Sequence, residues 1–264
     1  MLFKIQQQLP DHPWRNTIHW YDSIGSTNDL ARQMALEGAP SGTVILAGKQ
    51  TDGHGRMGRS FSSPAGMGVY LSCILRPNCP PEKLMHLTCA AAVAAAEAVE
   101  KAAGIRPGIK WTNDLVIGTK KLGGILTSLQ IDPQTGLVSS AIIGIGINCL
   151  QKAEDFPPEI QNIACSLAMH TQEADPAALA SALIAALASM EQRLLTEKAQ
   201  IMDSYRSGCI TLGRQVSWQA GDQLHHALAV DLDENGGLVL QLPDGSMQTA
   251  AFGEVSIRGM YGYL

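Results

Sequence analysis

The sequence of 264 residues has few charged residues and no excess of basic ones. Only 16% of its residues are charged, whereas 45% are hydrophobic, and this balance excludes a disordered chain. The 19 lysines and arginines are outnumbered by 24 aspartates and glutamates, which gives a net charge of −5. A basic surface for nucleic acid over the whole chain is therefore excluded, and only a local basic site is compatible with this charge.

The sequence also lacks the features of a membrane or secreted protein. It has no run of about 18 apolar residues, and its richest stretch, 89–96, ends at Glu97, so we expect no transmembrane helix. The N-terminal segment has no long apolar stretch and no small-residue cleavage site, unlike a signal peptide. None of the six cysteines forms a Cys-x-x-Cys pair, and the seven histidines show no metal-ligand spacing. We expect buried free thiols and a cytoplasmic protein.

Apolar periodicity predicts three helices in the first four fifths of the chain. They cover residues 27–37, 83–103 and 176–199. Four strand-like runs alternate with them, at residues 43–47, 69–75, 122–131 and 137–147. A turn signal between the last two runs favours antiparallel pairing there. This order of elements predicts an α+β fold in which helices pack on a mixed β-sheet.

The pattern changes after about Arg206, where helical periodicity ends. Five short strands are predicted beyond it, at residues 215–218, 227–233, 237–242, 247–251 and 255–258. Turn signals separate them, at residues 221–222, 235–237 and 243–245. Five short strands in such a span predict a small β-barrel attached to the main domain. We place the boundary between residues 209 and 210.

A glycine-rich loop at residues 50–61 is the most distinctive segment. Gly53, Gly55 and Gly58 formally match G-x-G-x-x-G, the fingerprint of a Rossmann oxidoreductase. That fingerprint must open a helix, and the residues that follow it here are poor helix formers, so we reject this interpretation. Arg56 and Arg59 instead indicate a flexible loop whose amides and guanidinium groups bind an anion. The alternative is a solvated surface loop with incidental charges.

A second cluster combines Lys110, Asp114 and Lys121 with glycine turns. A lone lysine in apolar surroundings commonly extends its amine to water, which is the structural alternative for each. Together with the two arginines, the group predicts a polyphosphate site in which Asp114 could hold Mg²⁺. No P-loop motif is present, so this is not a P-loop nucleotide site.

Two further segments have polar or small residues in unusual places. Ser26-Thr27-Asn28 lies at the start of a predicted helix, where it can be a helix cap, a binding site for a small polar ligand, or both. Gly144 and Gly146 alternate within a predicted strand, which indicates that another group packs close to the backbone.

Taken together, these segments resemble the biotin–protein ligases. The matching motifs occur in order: Ser-Thr-Asn at 26–28, Gln50 with the glycine-rich loop, Lys-Trp-Thr-Asn-Asp at 110–114, Lys-Leu-Gly-Gly-Ile-Leu at 121–126, Gly-Ile-Gly-Ile-Asn at 144–148 and Gly-Glu-Val-Ser at 253–256. The resemblance implies a class II aminoacyl-tRNA synthetase-like catalytic domain at 1–209 and an SH3-like barrel at 210–264. It also implies that MgATP activates biotin as biotinyl-5′-AMP, and that biotin then passes to a lysine of the biotin carboxyl carrier protein of acetyl-CoA carboxylase.

The resemblance also assigns roles residue by residue. It implies that Lys121, Arg56 and Asp114 are catalytic, with Asp114 also the candidate Mg²⁺ ligand. The implied biotin site consists of Ser26, Thr27, Asn28, Gln50, His54, Gly55, Arg56 and Lys121. The implied ATP and phosphate site consists of Arg59, Phe61, Lys110, Asn113 and Asn148.

Three positions depart from the family pattern. His54 replaces a common arginine and removes a permanent charge, Phe61 replaces a tryptophan expected to stack on adenine, and Thr112 replaces a common proline. A lipoate–protein ligase and a non-catalytic biotin-binding protein remain as alternatives.

About 25 residues precede Ser26, too few for the helix-turn-helix domain of some family members, so we expect no DNA binding. A homodimer is left open.

Overall fold

The computed structural model describes the backbone of residues 1–220, 223–251 and 258–259. Its main feature is a seven-stranded mixed sheet in the order β1-β2-β3-β7-β6-β5-β4. The strands are β1 Ile18–Tyr21, β2 Thr43–Ala47, β3 Gly68–Leu75, β4 Gly108–Lys110, β5 Asp114–Ile117, β6 Lys120–Ile131 and β7 Val138–Asn148. Only β1 and β2 pair in parallel, and the other pairs are antiparallel. The mixed sheet confirms the α+β prediction.

Five α-helices accompany the sheet in the described part of the chain. They are α1 Leu2–Gln7, α2 Thr27–Leu36, α3 Leu87–Ala103, α4 Pro176–Arg193 and α5 Lys198–Gly208. The prediction of a helix over 83–103 is wrong at its start, because Pro81–Leu84 forms a separate 3-10 turn. The prediction over 176–199 runs too far, because α4 ends at Arg193 and α5 begins at Lys198. Helices α1 and α5 and the short strands β1, β4 and β5 were not predicted.

A buried histidine satisfies a carbonyl at the C-terminal end of α4. The His86 ring lies just before α3 and donates a hydrogen bond from Nε2 to the carbonyl oxygen of Leu194, at 3.0 Å. The last carbonyls of a helix have no partner within it, so this bond satisfies one of them. Burial lowers the pKa of His86, which favours the neutral ring in this position.

The sheet separates two packing layers. On one face, Ala31 and Ala35 of α2 pack against Ile45, Ile74 and Ile142 of the sheet. On the other face, α3 and α4 form the larger core, and the alanines of α3 are almost all buried. Small side chains allow α3 to approach both its neighbours closely. The single helix α2 covers only part of its face and leaves room for a cleft beside its N-terminus.

The second sheet has five antiparallel strands in the order β11-β10-β9-β8-β12. The strands are β8 Gln215–Ala220, β9 Gln223–Leu232, β10 Leu238–Gln241, β11 Met247–Ala250 and β12 Arg258–Gly259. The first four fall close to their predicted positions. The predicted turn at 221–222, most of the predicted strand 255–258 and the motif 253–256 lie outside the described residues. Apolar residues of this sheet join the same core as the main sheet, and the boundary at 209/210 stays a prediction.

The cysteines and the lengths of the helices bear on two expectations from the sequence. All six cysteines are buried and free, as predicted. Burial also raises their pKa values, including that of Cys149 to about 12, which leaves the thiols protonated at neutral pH. No helix in the described ranges is long and apolar enough to span a membrane.

Capping of α4 gives the first prediction. The Asp175 carboxylate accepts a hydrogen bond from the Ala177 amide at 2.8 Å, directly before Pro176. Asp175→Ala should lower the free energy of unfolding by about 1 kcal/mol, because it removes the acceptor for an unpaired helix amide. Urea denaturation measures this change. Glu173→Ala alters an exposed carboxylate two residues earlier and should stay within about 0.5 kcal/mol of wild type. Equal effects of the two substitutions would contradict the capping role.

Candidate active site

A cleft opens on the face of the main sheet that α2 only partly covers. It is concave and partly open to solvent, the form that small-molecule sites commonly take. Its lining residues come from the start of α2, the glycine-rich loop, the turn between β4 and β5, and strands β6 and β7: Ser26, Thr27, Asn28, Gln50, His54, Gly55, Arg56, Phe61, Asn113, Lys121, Gly124, Ile125, Leu126, Gly144, Ile145 and Gly146. Segments distant in sequence therefore meet at one place.

The N-terminus of α2 forms one wall of the cleft. Ser26 is the N-cap, and its hydroxyl accepts from the Asp29 amide at 3.4 Å. The Thr27 amide is one of the donors that a helix start leaves unpaired, and it donates to Gln50 Oε1 at 2.8 Å. The Thr27 hydroxyl lies 3.0 Å from the same oxygen. Ser-Thr-Asn thus contains the helix cap and lines the cleft, and its binding of a small polar ligand stays a prediction.

Glycines form the floor of the cleft. A Cβ atom at Gly144 would overlap the Asn28 side chain, and a Cβ atom at Gly146 would lie 2.6 Å from the Phe61 ring. Both side chains therefore pack directly on the backbone of β7, which confirms the prediction from the alternating glycines. The Phe61 ring also makes an edge-on contact with Tyr70, with centroids 6.4 Å apart.

An ion pair lies on the same face as this floor. Lys121 Nζ is 2.6 Å from Asp114 Oδ1, and the two side chains are 30% and 18% exposed. The pairing of β5 with β6 shifts by one residue between Leu115 and Val116. This β-bulge turns the Lys121 side chain toward Gly124 and Asp114, whereas Leu122 is buried in the core. The local irregularity thus directs a lysine into the cleft.

A second cation enters the cleft from the glycine-rich loop. Arg56 Nη1 donates to Asn113 Oδ1 at 3.1 Å, and Asn113 Nδ2 donates to the Ile125 carbonyl at 2.8 Å. Burial lowers the pKa of Arg56, and the nearby Asp114 carboxylate opposes that change, so the guanidinium stays charged. Arg56 and Lys121 therefore place two cations within one cleft.

The glycine-rich loop itself is folded back as a tight hairpin. The Gly55 amide donates to the Arg59 carbonyl at 2.6 Å, and the Phe61 amide donates to the Gly53 carbonyl at 2.7 Å. A Cβ atom at Gly53 would overlap the Phe61 carbonyl, so glycine is needed there. The hairpin is tied to α2 because His54 Nε2 lies 2.8 Å from Asp29 Oδ2. The departure from arginine at position 54 thus leaves a polar tie between loop and helix.

The structure brings together most of the residues predicted for the site. Ten of them line the cleft: Ser26, Thr27, Asn28, Gln50, His54, Gly55, Arg56, Phe61, Asn113 and Lys121. Asp114 contacts the cleft through Lys121. Arg59, Lys110 and Asn148 are not among the lining residues. Asn148 donates to the Cys165 carbonyl and accepts from Gln151, and its phosphate role stays a prediction, as do those of Arg59 and Lys110.

Sequence reasoning missed several residues that shape the site. Gly124, Ile125 and Leu126 line the cleft, although the sequence marked them only as part of a motif. Ser63 and Ser72 support it through hydrogen bonds to Gln50, Thr27 and Asn28. A buried serine within an apolar strand, as in 69–75, is the signal that could have identified Ser72.

The site offers a divalent metal a single carboxylate. No group of three or more histidine, cysteine, aspartate or glutamate side chains that could hold a metal occurs in the described part of the chain. Mg²⁺ at nucleotide sites is commonly held by one or two carboxylates together with substrate phosphates. Asp114, which is paired with Lys121, could be such a carboxylate. It would hold Mg²⁺ together with substrate phosphates and not within a set of protein ligands alone.

The fold and the cleft define a ligase of the type that activates a carboxylic acid. The model of the biotin/lipoate A/B protein ligase family matches residues 20–148, and the model of the biotin protein ligase C-terminal domain matches residues 211–258. The bifunctional ligase/repressor BirA of Bacillus subtilis is 37% identical over 228 residues, which cover 86% of this chain and 70% of that protein. The chain belongs to the biotin protein ligase family.

More distant relatives agree with this placement. The biotin–[acetyl-CoA-carboxylase] ligase of Mycobacterium tuberculosis is 28% identical over 240 residues, covering 89% of this chain and 86% of that protein. Among solved structures, the biotin protein ligase of Aquifex aeolicus in complex with biotin and ATP aligns with a TM-score of 0.77 and 26% identity. That alignment covers 92% of this chain and 98% of the other.

The close packing at the floor gives the second prediction. Gly144→Ala should destabilise the fold by about 1–3 kcal/mol, because the new methyl group must displace the buried Asn28 side chain. It should also impair ligand binding, because Asn28 and Thr27 are adjacent at the start of α2. Thermal denaturation and a ligand titration measure the two effects. Gly208→Ala is the control, since its Cβ atom would make an ordinary 3.5 Å contact with Ile109 outside the cleft. Wild-type behaviour of Gly144→Ala would contradict the packing argument.

Proposed function

We propose that this chain activates biotin with MgATP and transfers the biotinyl group to a lysine of a biotin carboxyl carrier protein. In the first step a carboxylate oxygen of biotin attacks the α-phosphorus, the bond to pyrophosphate breaks, and biotinyl-5′-AMP forms. In the second step the lysine amine attacks the mixed anhydride, loses a proton and releases AMP. The observation that carries the proposal is the convergence of Arg56, Lys121 and the polar start of α2 on one cleft.

Two cations are what the first step needs. The attacking carboxylate and the triphosphate are both anions, and bringing them together costs electrostatic repulsion unless positive groups lie between them. Lys121 and Arg56 supply those charges from two different segments. Asp114 and Asn113 hold them in place through bonds of 2.6 Å and 3.1 Å. The contribution of the protein is therefore positioning and charge stabilisation.

The polar wall of the cleft suits the ring of biotin. Thr27, Asn28 and Gln50 present hydroxyl and amide groups, as a ureido ring with two N–H donors and one carbonyl requires. Leu126, on the same face of the sheet as Gly144, offers an apolar contact for the thiophane ring and the valeryl chain. Lipoate has no N–H donor in its ring, and this difference favours biotin over the lipoate alternative.

The glycine-rich loop covers the reacting groups in this proposal. A mixed anhydride hydrolyses when water reaches it, and the hairpin at 53–61 lies over the cleft and contributes Arg56 to it. Arg59 and Lys110 are proposed to face the phosphates and Phe61 the adenine. Mg²⁺, when bound with ATP, would neutralise phosphate charge next to Asp114.

The remaining expectations about partners and location are part of the same proposal. We propose a cytoplasmic enzyme whose acceptor is the carrier protein of acetyl-CoA carboxylase or a related biotin enzyme. We propose no operator binding, which a gel-shift assay with a biotin operator would test. Whether two copies associate is open to a sedimentation measurement.

The direct test is pyrophosphate release with MgATP, with biotin and lipoate added separately. Biotin-dependent release, followed by label transfer to an apo carrier protein, is the expected result. Release of pyrophosphate with lipoate, and not with biotin, would show that lipoate is the substrate. No release with either acid from folded protein would favour a non-catalytic binding protein.

The third prediction concerns Lys121. Lys121→Ala should reduce the rate of adenylation by about 10²–10³, the usual cost of losing one group that stabilises charge in the transition state. A radiolabelled pyrophosphate-exchange assay measures this rate. The control is Lys120→Ala, which removes the neighbouring lysine of β6, a residue that does not line the cleft. Near-normal exchange by Lys121→Ala would show that this lysine is not catalytic.

A further inference from the structure

A buried serine supports the polar wall of the cleft from below. Ser72 lies in the middle of β3, is fully buried and does not itself line the cleft. Its hydroxyl oxygen is 2.8 Å from Thr27 Oγ1 and 2.6 Å from Asn28 Oδ1. Ser72 therefore contacts the two residues of α2 that form the wall, on the side away from any ligand.

The direction of the neighbouring hydrogen bonds is fixed by the backbone. The Thr27 amide can only donate, so the Gln50 atom 2.8 Å away must be its carbonyl oxygen. Gln50 Nε2 then points to Ser63 Oγ at 2.9 Å, and Ser63 Oγ donates to the Phe61 carbonyl at 3.0 Å. The Gln50 amide is thus held in one orientation, with its oxygen beside the Thr27 hydroxyl.

The remaining contacts need more protons than the hydroxyls provide. Three oxygen pairs are within hydrogen-bond distance: Ser72 with Thr27, Ser72 with Asn28, and Thr27 with Gln50. Asn28 Oδ1 and Gln50 Oε1 only accept, and the Thr27 and Ser72 hydroxyls have one proton each. Two protons cannot serve three pairs, so three arrangements of the hydroxyls compete, and each leaves one pair without a proton.

The three arrangements differ in what the cleft offers. In the first, Ser72 donates to Thr27 and Thr27 donates to Gln50, which occupies Gln50 Oε1 twice and leaves the Asn28 bond unmade. In the second, Thr27 donates down to Ser72 and Ser72 donates to Asn28. Gln50 Oε1 and Thr27 Oγ1 then both have a lone pair free to accept from a ligand. In the third, Ser72 donates to Asn28 and Thr27 donates to Gln50, which leaves the bond between Ser72 and Thr27 unmade and again occupies Gln50 Oε1 twice. A ligand shifts such an equilibrium toward the arrangement that it binds better.

We propose that Ser72 is a positioning residue that sets the specificity of the cleft for a ligand ring with adjacent N–H groups. By accepting the Thr27 proton and passing its own to Asn28, it converts Thr27 and Gln50 into a pair of acceptors. The inference rests on the proposed function, because the ureido ring of biotin carries two such N–H groups. The dithiolane ring of lipoate carries none and gains nothing from this arrangement.

The experiment compares wild type, Ser72→Ala, Ser72→Cys and Ser140→Ala in steady-state pyrophosphate release. Ser72→Ala should raise KM for biotin roughly 5- to 10-fold, the scale of one buried hydrogen bond, with kcat and KM for MgATP within about twofold of wild type. Ser72→Cys replaces the hydroxyl by a weaker donor and acceptor and should fall between alanine and wild type. Ser140 is the matched control, a fully buried serine of β7 that bonds to Gln130 away from the cleft.

The outcomes distinguish a failure of the proposed function from a failure of the role proposed for Ser72. A wild-type protein without biotin-dependent release would overturn the proposed function and this inference together. An active wild type in which Ser72→Ala and Ser140→Ala have the same KM for biotin would overturn the inference alone. A fall in kcat with an unchanged KM would also overturn it. If Ser72→Ala does not fold, the KM of Ser72→Cys decides, and a wild-type value contradicts the inference.

Discussion

The packing of Asn28 against the backbone of Gly144 is the constraint on which the cleft depends. It brings the first turn of α2 down onto the sheet, closer than any side chain at position 144 would allow. At that distance the Thr27 amide reaches Gln50, and the Thr27 and Asn28 side chains reach Ser72. One close contact therefore fixes the helix start, the orientation of an amide and the polar wall of the site.

The charges of the site are arranged against the overall balance of the chain. The protein has a net charge of −5, yet Arg56 and Lys121 both line the same cleft. Each cation is held by one side chain: Arg56 by Asn113, which lines the cleft, and Lys121 by Asp114, which lies beside it. A local positive site in an acidic protein needs such partners, because unrestrained side chains would spread into water.

The sequence predicted the type of fold and most of the site, and its errors have physical causes. The long helix α3 and the strands β6 and β7 have strong periodicity and were placed well, whereas α1 and β4 are too short to show any. The prediction extended α4 beyond Arg193, where the chain breaks between α4 and α5, and the tertiary bond from His86 to Leu194 at that break is recorded by no local pattern. The turn of Lys121 into the cleft depends on a β-bulge, which the sequence shows only as two adjacent glycines. The support from Ser72 depends on strand order, which a motif cannot show.

The region of the second sheet is hydrogen-bonded to the turn between β4 and β5, which carries Asn113. Trp111 donates from its indole to the Gly236 carbonyl at 2.8 Å, and its amide donates to Thr211 Oγ1 at 2.9 Å. The Tyr205 hydroxyl donates to the Thr112 carbonyl at 2.8 Å, and burial raises its pKa, which keeps it a donor. The loop that leads to Asn113, and through it to Arg56, is therefore fixed from α5 and from the small sheet. A cleft whose supporting turn is hydrogen-bonded to a second sheet gains rigidity that the turn alone would not supply.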